Sequence, residues 1–188
     1  MNQKRVHIIF TGGTIAMRTN AQGELVPASS GQELIQAIPA LKQVAEVSTQ
    51  QFCNVASAHL TTDLWFQLRQ AIMHACADET VHGVVVVQGT DTLEETAFFL
   101  DASLSNEQLH DKPVIVTGAM RHADEPDGDG PTNLLNAVLI AADDSACERG
   151  VMVGMHGRLH AARYVRKWHT TRTDAFTSLE HPLLGEIR

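Results

Sequence analysis

Four consecutive β-branched residues, Val84 to Val87, stand directly before Gln88-Gly89-Thr90-Asp91-Thr92 and a helix-forming run. A strand without polar alternation is buried on both faces, and a parallel sheet covered by helices supplies two such faces. Leu93, Ala97, Leu100 and Leu104 then fall on one side of the segment that Glu94-Glu95 begins, which predicts a helix. Thr90, Asp91 and Thr92 therefore lie at the carboxyl end of a central strand and the amino end of a helix. Open α/β sheets bind ligands there, and helix N–H groups attract anions and developing oxyanions. Threonine and aspartate are also ordinary N-caps, so a plain turn is the competing reading.

The bulk numbers agree with a packed domain. The chain has 188 residues, of which 44% are apolar and only 19% charged, enough for one domain that buries roughly 70% of its unfolded surface and too apolar for disorder. A formal net charge of −8 argues against a nucleic-acid surface, which wants a basic stripe. The apolar run after Lys4-Arg5 stops at Thr11, too soon for a secretion signal, and no window approaches the ~20 apolar residues of a membrane span. The expectation is a cytoplasmic protein with neither nucleic acid nor membrane as a partner. Cys53, Cys76 and Cys147 are odd in number and far apart, so they read as reduced core or helix-face thiols rather than a disulfide set or a metal site.

Strand and helix alternate along the whole chain. Val6 to Phe10 reads as the first buried strand and runs into Thr11-Gly12-Gly13-Thr14-Ile15, where adjacent glycines permit positive φ and let backbone N–H groups face a bound group. No GxGxxG and no GK[ST] follows, so neither dinucleotide nor Walker chemistry is implied. Met17 to Ser30 is polar and aperiodic and reads as a mobile loop, a candidate lid. A short helix is expected over Gln32–Ile38, a weak strand over Val44–Val55, and an amphipathic helix from Thr62-Asp63 with Leu64, Trp65, Leu68, Ile72 and Ala75 on its inner face. Pro113–Thr117 is the next strand, and an acidic, glycine-rich loop from His122 to Gly130 leads to Asp129-Gly130-Pro131, a good helix start. Leu134, Leu135, Val138 and Ala141 form that helix's stripe; Gly150–Met155 is a strand, and His156-Gly157-Arg158 a hairpin turn into Leu159–Ala162. The expected architecture is α/β: a doubly wound, mostly parallel sheet in three layers, Rossmann- or flavodoxin-like. Three strand ends with hydroxyls (Thr11/Thr14, Ser57, Thr90/Thr92) can then converge on one edge.

Thr11-Gly12-Gly13-Thr14-Ile15-Ala16, Gly89-Thr90-Asp91-Thr92 with Glu94-Glu95-Thr96, and Lys112-Pro113-Val114 leading to Thr117-Gly118-Ala119-Met120-Arg121 occur in that order. So do Asp129-Gly130-Pro131, Asn133-Leu134, Asn136-Ala137 and Arg149-Gly150-Val151. Together, from Val6 to Leu184, they resemble the bacterial-type L-asparaginase family. The resemblance implies hydrolysis of L-asparagine, and more weakly L-glutamine, to the acid and ammonia without a cofactor, by dimers or tetramers. Residue by residue, Thr14 matches the loop nucleophile, and Thr90, Asp91 and Lys167 match a buried second triad. Ser57 matches the holder of the substrate α-carboxylate and Asp91 the group facing the α-ammonium. Gly13, Gly89, Ala58 and Ala119 complete the implied pocket wall. The chemistry is coherent: a threonine hydroxyl needs a base or a polarising network, a lysine in a closed site can lose its proton through desolvation, and acid–base help of this kind supplies roughly a hundred- to ten-thousand-fold in rate.

Three departures from the family pattern stand out. The lid tyrosine expected near Glu24 or Leu25 is missing; the sole tyrosine is Tyr164. Beside Ser57, where the family has glutamine or aspartate, the chain has Ala58 and then His59, read as a surface residue. Family members also carry a smaller second domain, whose connector would begin near Pro182–Arg188. The chain reads as the N-terminal-type catalytic domain over residues 1–188, a short single-domain relative or a truncation, with a pocket more open to water and a weaker hold on substrate.

Lesser candidates carry less. His156 and His160 lack an acidic partner for a metal, and Asp124, Glu125, Asp127 and Asp129 lack the spacing of a calcium loop and read as a solvated turn. No GxSxG accompanies Ser57 and His59, so a serine hydrolase is disfavoured. Two function classes remain: a cofactor-free amidohydrolase acting on a small-molecule amide, and a non-catalytic amino-acid-binding or assembly domain that keeps the fold and Asp91.

Overall fold

Alternation along the strands divides the core into two apolar layers. In the computed structural model, which describes residues 3–19, 22, 25–27, 31–122, 125 and 127–187, the elements run as follows. β1 is Arg5–Phe10, β2 Met17–Thr19, β3 Leu25–Pro27, α1 Gly31–Gln36, α2 Leu41–Val44 and β4 Glu46–Gln51. α3 is Thr62–Ala77, β5 Val81–Val87, α4 Leu93–Ser103, α5 Asn106–Leu109 and β6 Val114–Thr117. α6 is Gly130–Ala141, β7 Val151–Met155, β8 Arg158–Ala161, β9 Arg166–Lys167, β10 Phe176–Thr177 and β11 Gly185–Glu186. Ile9, Val84, Val86, Val114 and Val116 face Leu68, Ile72, Leu93 and Leu100 of α3 and α4. Their neighbours Ile8, Val85, Val87 and Ile115 face Leu34, Leu41, Leu134 and Val138 of α1, α2 and α6. A strand buried between two helical layers has no reason to alternate with polar residues, which explains the unbroken valines.

Seven strands form the main sheet in the order β11-β8-β7-β6-β5-β1-β4. β4, β1, β5, β6 and β7 are parallel, whereas β8 and β11 close one edge antiparallel. Among the parallel strands the spatial order is second, first, third, fourth, fifth, which is flavodoxin-like. In such a sheet the connections from β1 and β5 leave in opposite directions, and a crevice opens between their carboxyl ends. The expected doubly wound three-layer fold is present.

Several local expectations are corrected. Residues 17–19 and 25–27 pair antiparallel as a ribbon, Met17 with Pro27 and Thr19 with Leu25, so the aperiodic lid has regular structure on both flanks. The lid position Glu24 lies outside the described residues, as does Asp124 of the acidic loop. The first helix ends at Gln36, and β4 starts only at Glu46 because Leu41–Val44 forms a helical turn that buries Leu41. The hairpin β9–β10, with Lys167 opposite Phe176, follows from no sequence period, since each strand is two residues long.

Candidate active site

The crevice is built from the backbone outward. Gly12 and Gly13 take φ values of +108° and +90°, open to glycine at little cost and strained for other residues. A Cβ on Gly13 would sit 2.3 Å from the Cα and N of Gly89, so the turn after β1 lies flush against the turn after β5. Thr14, next in the chain, opens a short helical turn at this junction.

Side-chain bonds tie a third strand end to the same place. Ser57, only 3% exposed, accepts at Oγ from the Asp91 backbone N–H at 3.1 Å, while its carbonyl accepts from Thr92 Oγ1 at 2.9 Å. The connection after β4 is therefore stapled to residues 90–92. Thr11 Oγ1 donates to the Val87 carbonyl at 3.2 Å and so braces β1 against β5. Of the hydroxyls expected to converge, Thr11 and Thr92 are thus spent on the frame.

Lys167 reaches this frame from 77 residues away. Its Nζ donates to Thr90 Oγ1 and to Asp91 Oδ1, both at 2.8 Å. The lysine side chain is 14% exposed, while Asp91 is 71% exposed. The cluster thus has a covered amine and an open carboxylate. Lys167 is delivered by burial on either side of it: Val165 and Phe176 are in the core, and Lys167 pairs with Phe176 across the hairpin. Its backbone N–H donates to the Glu94 carboxylate in the first turn of α4. Charge-assisted bonds of this kind are the stronger ones, so Glu94 fixes where the β9 strand lies relative to Thr90.

Two residues that sequence reasoning passed over hold the site from beneath. Gln88, fully buried, donates from Nε2 to the Thr92 carbonyl at 3.1 Å and to Thr96 Oγ1 at 2.9 Å. Asn133, also buried, donates to the Gly118 carbonyl at 3.0 Å and accepts from the His156 N–H at 3.0 Å, joining the ends of β6 and β7. A polar residue in an otherwise valine-rich run was the available signal for Gln88; for Asn133 it was a polar residue within an apolar helix stripe. Glu94 offered no signal, since glutamate in a first helical turn is ordinary.

The remaining expected residues divide by exposure. Ala58 and His59 are exposed beside Ser57. Ala119 is fully buried in the α6 layer. The acidic loop is no solvated turn at its end: Asp129 accepts from the Met120 and Arg121 N–H groups at 3.1 and 2.9 Å and from Asn133 Nδ2 at 3.0 Å. Arg121 also pairs with Glu125 at 2.7 Å and Asp127 at 3.2 Å.

Fold and site together define a flavodoxin-like three-layer α/β protein with a threonine–lysine–aspartate cluster at the switch point of its sheet. The chain belongs to the asparaginase family: the family model described as "Asparaginase, N-terminal" matches residues 5–188. It is 39% identical over 186 residues to L-asparaginase 2 of Bacillus subtilis, covering 97% of this chain and 48% of that one. It is 40% identical over 187 residues to a probable periplasmic L-asparaginase of Haemophilus influenzae, covering 97% of this chain and 51% of the other. The crystal structure of a probable cytoplasmic L-asparaginase from Campylobacter jejuni superposes with a TM-score of 0.91 at 36% identity, covering 99% of this chain and 56% of that chain. The chain thus spans about half the length of the curated relatives it matches.

Proposed function

We propose that this chain is the catalytic domain of a cofactor-free amidohydrolase that converts L-asparagine, and L-glutamine more slowly, to the corresponding acid and ammonia. The observation that carries this reading is the Lys167 ammonium group, largely covered and 2.8 Å from both Thr90 Oγ1 and Asp91 Oδ1. A lysine serving only solubility would extend into water.

The Thr14 hydroxyl attacks the side-chain amide carbon. The carbonyl oxygen gains negative charge beside the helical turn 90–92 and the amino end of α4, whose N–H groups favour an oxyanion. The Thr14 hydroxyl proton passes through the hydrogen-bonded Thr90 and Lys167 to the amide nitrogen, which leaves as ammonia, and a threonyl ester remains. Water then attacks that ester, giving its hydroxyl to the released acid and a proton back to the Thr14 oxygen. The Asp91 carboxylate holds Lys167 with one oxygen, and its exposed face is open to a substrate ammonium. Ser57 presents a hydroxyl whose oxygen already accepts from the Asp91 N–H, so its own proton is available to a substrate carboxylate.

The open side of the site supports a second reading, an amino-acid-binding domain without turnover, since Asp91 is 71% exposed. Ammonia release from L-asparagine separates the two. Loss of at least a hundredfold in rate in Thr90→Ala supports hydrolysis. Calorimetric binding of L-asparagine with no ammonia released supports the binding domain.

The amidohydrolase reading also takes the protein to be cytoplasmic and to assemble as a homodimer or homotetramer. In support of the location, the Campylobacter jejuni relative is described as cytoplasmic; recovery of the protein from the periplasm, where the Haemophilus influenzae relative is described, would contradict it. Light scattering checks the assembly.

A further inference from the structure

At the opposite end of the sheet a second set of chemically active side chains comes together. His82 stands at the start of β5, Asp144 opens the short helical turn between α6 and β7, and Cys147 follows that turn. Their ligand atoms, an imidazole nitrogen, a carboxylate oxygen and the thiol sulfur, all lie within 4.8 Å of one another. His82 Nε2 and Asp144 Oδ1 are already 3.5 Å apart. That nitrogen is sealed from solvent and finds no hydrogen-bond partner among the described residues, an arrangement that costs free energy unless something else satisfies the lone pair or proton. The side chains are otherwise poised: His82 is 22% exposed and Asp144 81% exposed. Cys147 is a free, half-buried thiol.

We propose that His82, Asp144 and Cys147 form a site for a divalent d-block cation, zinc by preference, with three protein ligands and a fourth position open to water. Tetrahedral zinc with bonds of about 2.0–2.3 Å needs ligand atoms about 3.3–3.7 Å apart, so groups that lie within 4.8 Å of one another must draw in by about 1–1.5 Å at most. Asp144 and Cys147 lie on a short turn and His82 on a strand end, so side-chain rotation covers that distance without moving the sheet. Thiolate with imidazole selects zinc, cobalt or copper, whereas magnesium and calcium want oxygen ligands. Binding exchanges the Cys147 S–H bond for a metal–sulfur bond and releases one proton to solvent. A cavity of about 690 Å³, lined by Lys4, His82, Lys112 and Cys147 among others, gives the ion an entry path.

Lys4 opposes the ion. Its Nζ is 2.5 Å from Asp144 Oδ1 and must swing away or share the carboxylate through Oδ2. Lys112 is held elsewhere, donating to the Cys76 and Asp78 carbonyls at 2.7 Å. The site is separate from the catalytic crevice: His82 lies at the first end of β5 and Thr90 just past the other, about 25 Å away at ~3.3 Å per strand residue.

Cobalt is the probe, because a thiolate bound to Co²⁺ gives a charge-transfer absorption that histidine and carboxylate sites lack. Titration of the chain with Co²⁺ is expected to give this band with one equivalent, and Zn²⁺ to bleach it. Cys147→Ser and His82→Gln should each lose the band or weaken affinity at least tenfold. Cys53→Ser should keep it, and Lys4→Met should tighten binding. As a second measure, Zn²⁺ should raise the melting temperature of the unaltered chain and leave that of Cys147→Ser where it is. Absence of a thiolate band, or a band that survives Cys147→Ser, overturns the proposal.

Discussion

His160 Nδ1 lies 2.7 Å from Ser178 Oγ, and both residues are buried. Its other nitrogen is sealed off without a hydrogen-bond partner among the described residues. Burial, and then the positive charge of Arg158, push the imidazole pKa down from 6.5 to about 4. Between those two values the unfolded chain binds a proton that the folded chain does not, so stability falls as the pH drops through that window. The full loss is about 3 kcal/mol once the pH is well below 4. A series of melts from pH 7 to 4 should therefore show a steeper decline for the unaltered chain than for His160→Gln, which titrates nowhere in that range. Parallel declines would mean that His160 carries no such linkage. The residue scale is also where the sequence is least legible. A buried histidine and a cluster lysine look like ordinary solvated residues in the chain; Thr90, Asp91 and Thr92, fixed between a valine strand and a helix start, and the strand-end hydroxyls of Thr11, Thr14 and Ser57 announced a site without help from the family resemblance. Lys167 needed that resemblance, because a two-residue strand has no period to read.

Among elements, the segment from β6 to α6 shows what a composition-based reading misses. Asp129 precedes the helix and looked like part of an acidic turn. Its carboxylate instead gathers three donors, the Met120 and Arg121 N–H groups and Asn133 Nδ2, and so folds the chain after β6 back onto the amino end of α6. Asn133 in turn bridges to the Gly118 carbonyl and the His156 N–H, which ties β6 and β7 to one helix. Leaving three partly buried donors unpaired costs about 2–4 kcal/mol. Asp129→Ala should accordingly lower the unfolding free energy from urea melts by that amount, through a lower midpoint at an unchanged m-value; a free energy within about 0.5 kcal/mol of the starting protein, a roughly neutral surface effect, would show the donors find water instead. The long elements were legible because each carries a period matching the layer it faces, as α3 and α4 do through Leu68, Ile72, Leu93, Ala97 and Leu100. The short ones lack such a period: β2 and β3 pair with each other, and β9 pairs with β10 and is tied to α4 through Glu94.

At the scale of the whole molecule, the sheet order decides where chemistry can occur. β1 and β5 are neighbours whose connections depart to opposite sides, and the Gly12–Gly13 turn and the Gly89–Asp91 turn meet in the gap between them. Alternation of strand and helix predicted this layout, since right-handed crossovers leave few alternatives. The order of the strands, which brings Ser57 to the Asp91 N–H, is set by tertiary contacts that no local period encodes. In the proposed hydrolysis Lys167 transmits protons to and from Thr90. The most direct test is the steady-state rate of ammonia release from L-asparagine in Lys167→Met, alongside its melting temperature and its calorimetric affinity for L-aspartate. The rate should be at least a hundredfold lower, with the fold intact and product still bound. A Lys167→Met protein that turns over as fast as the unaltered chain would contradict it.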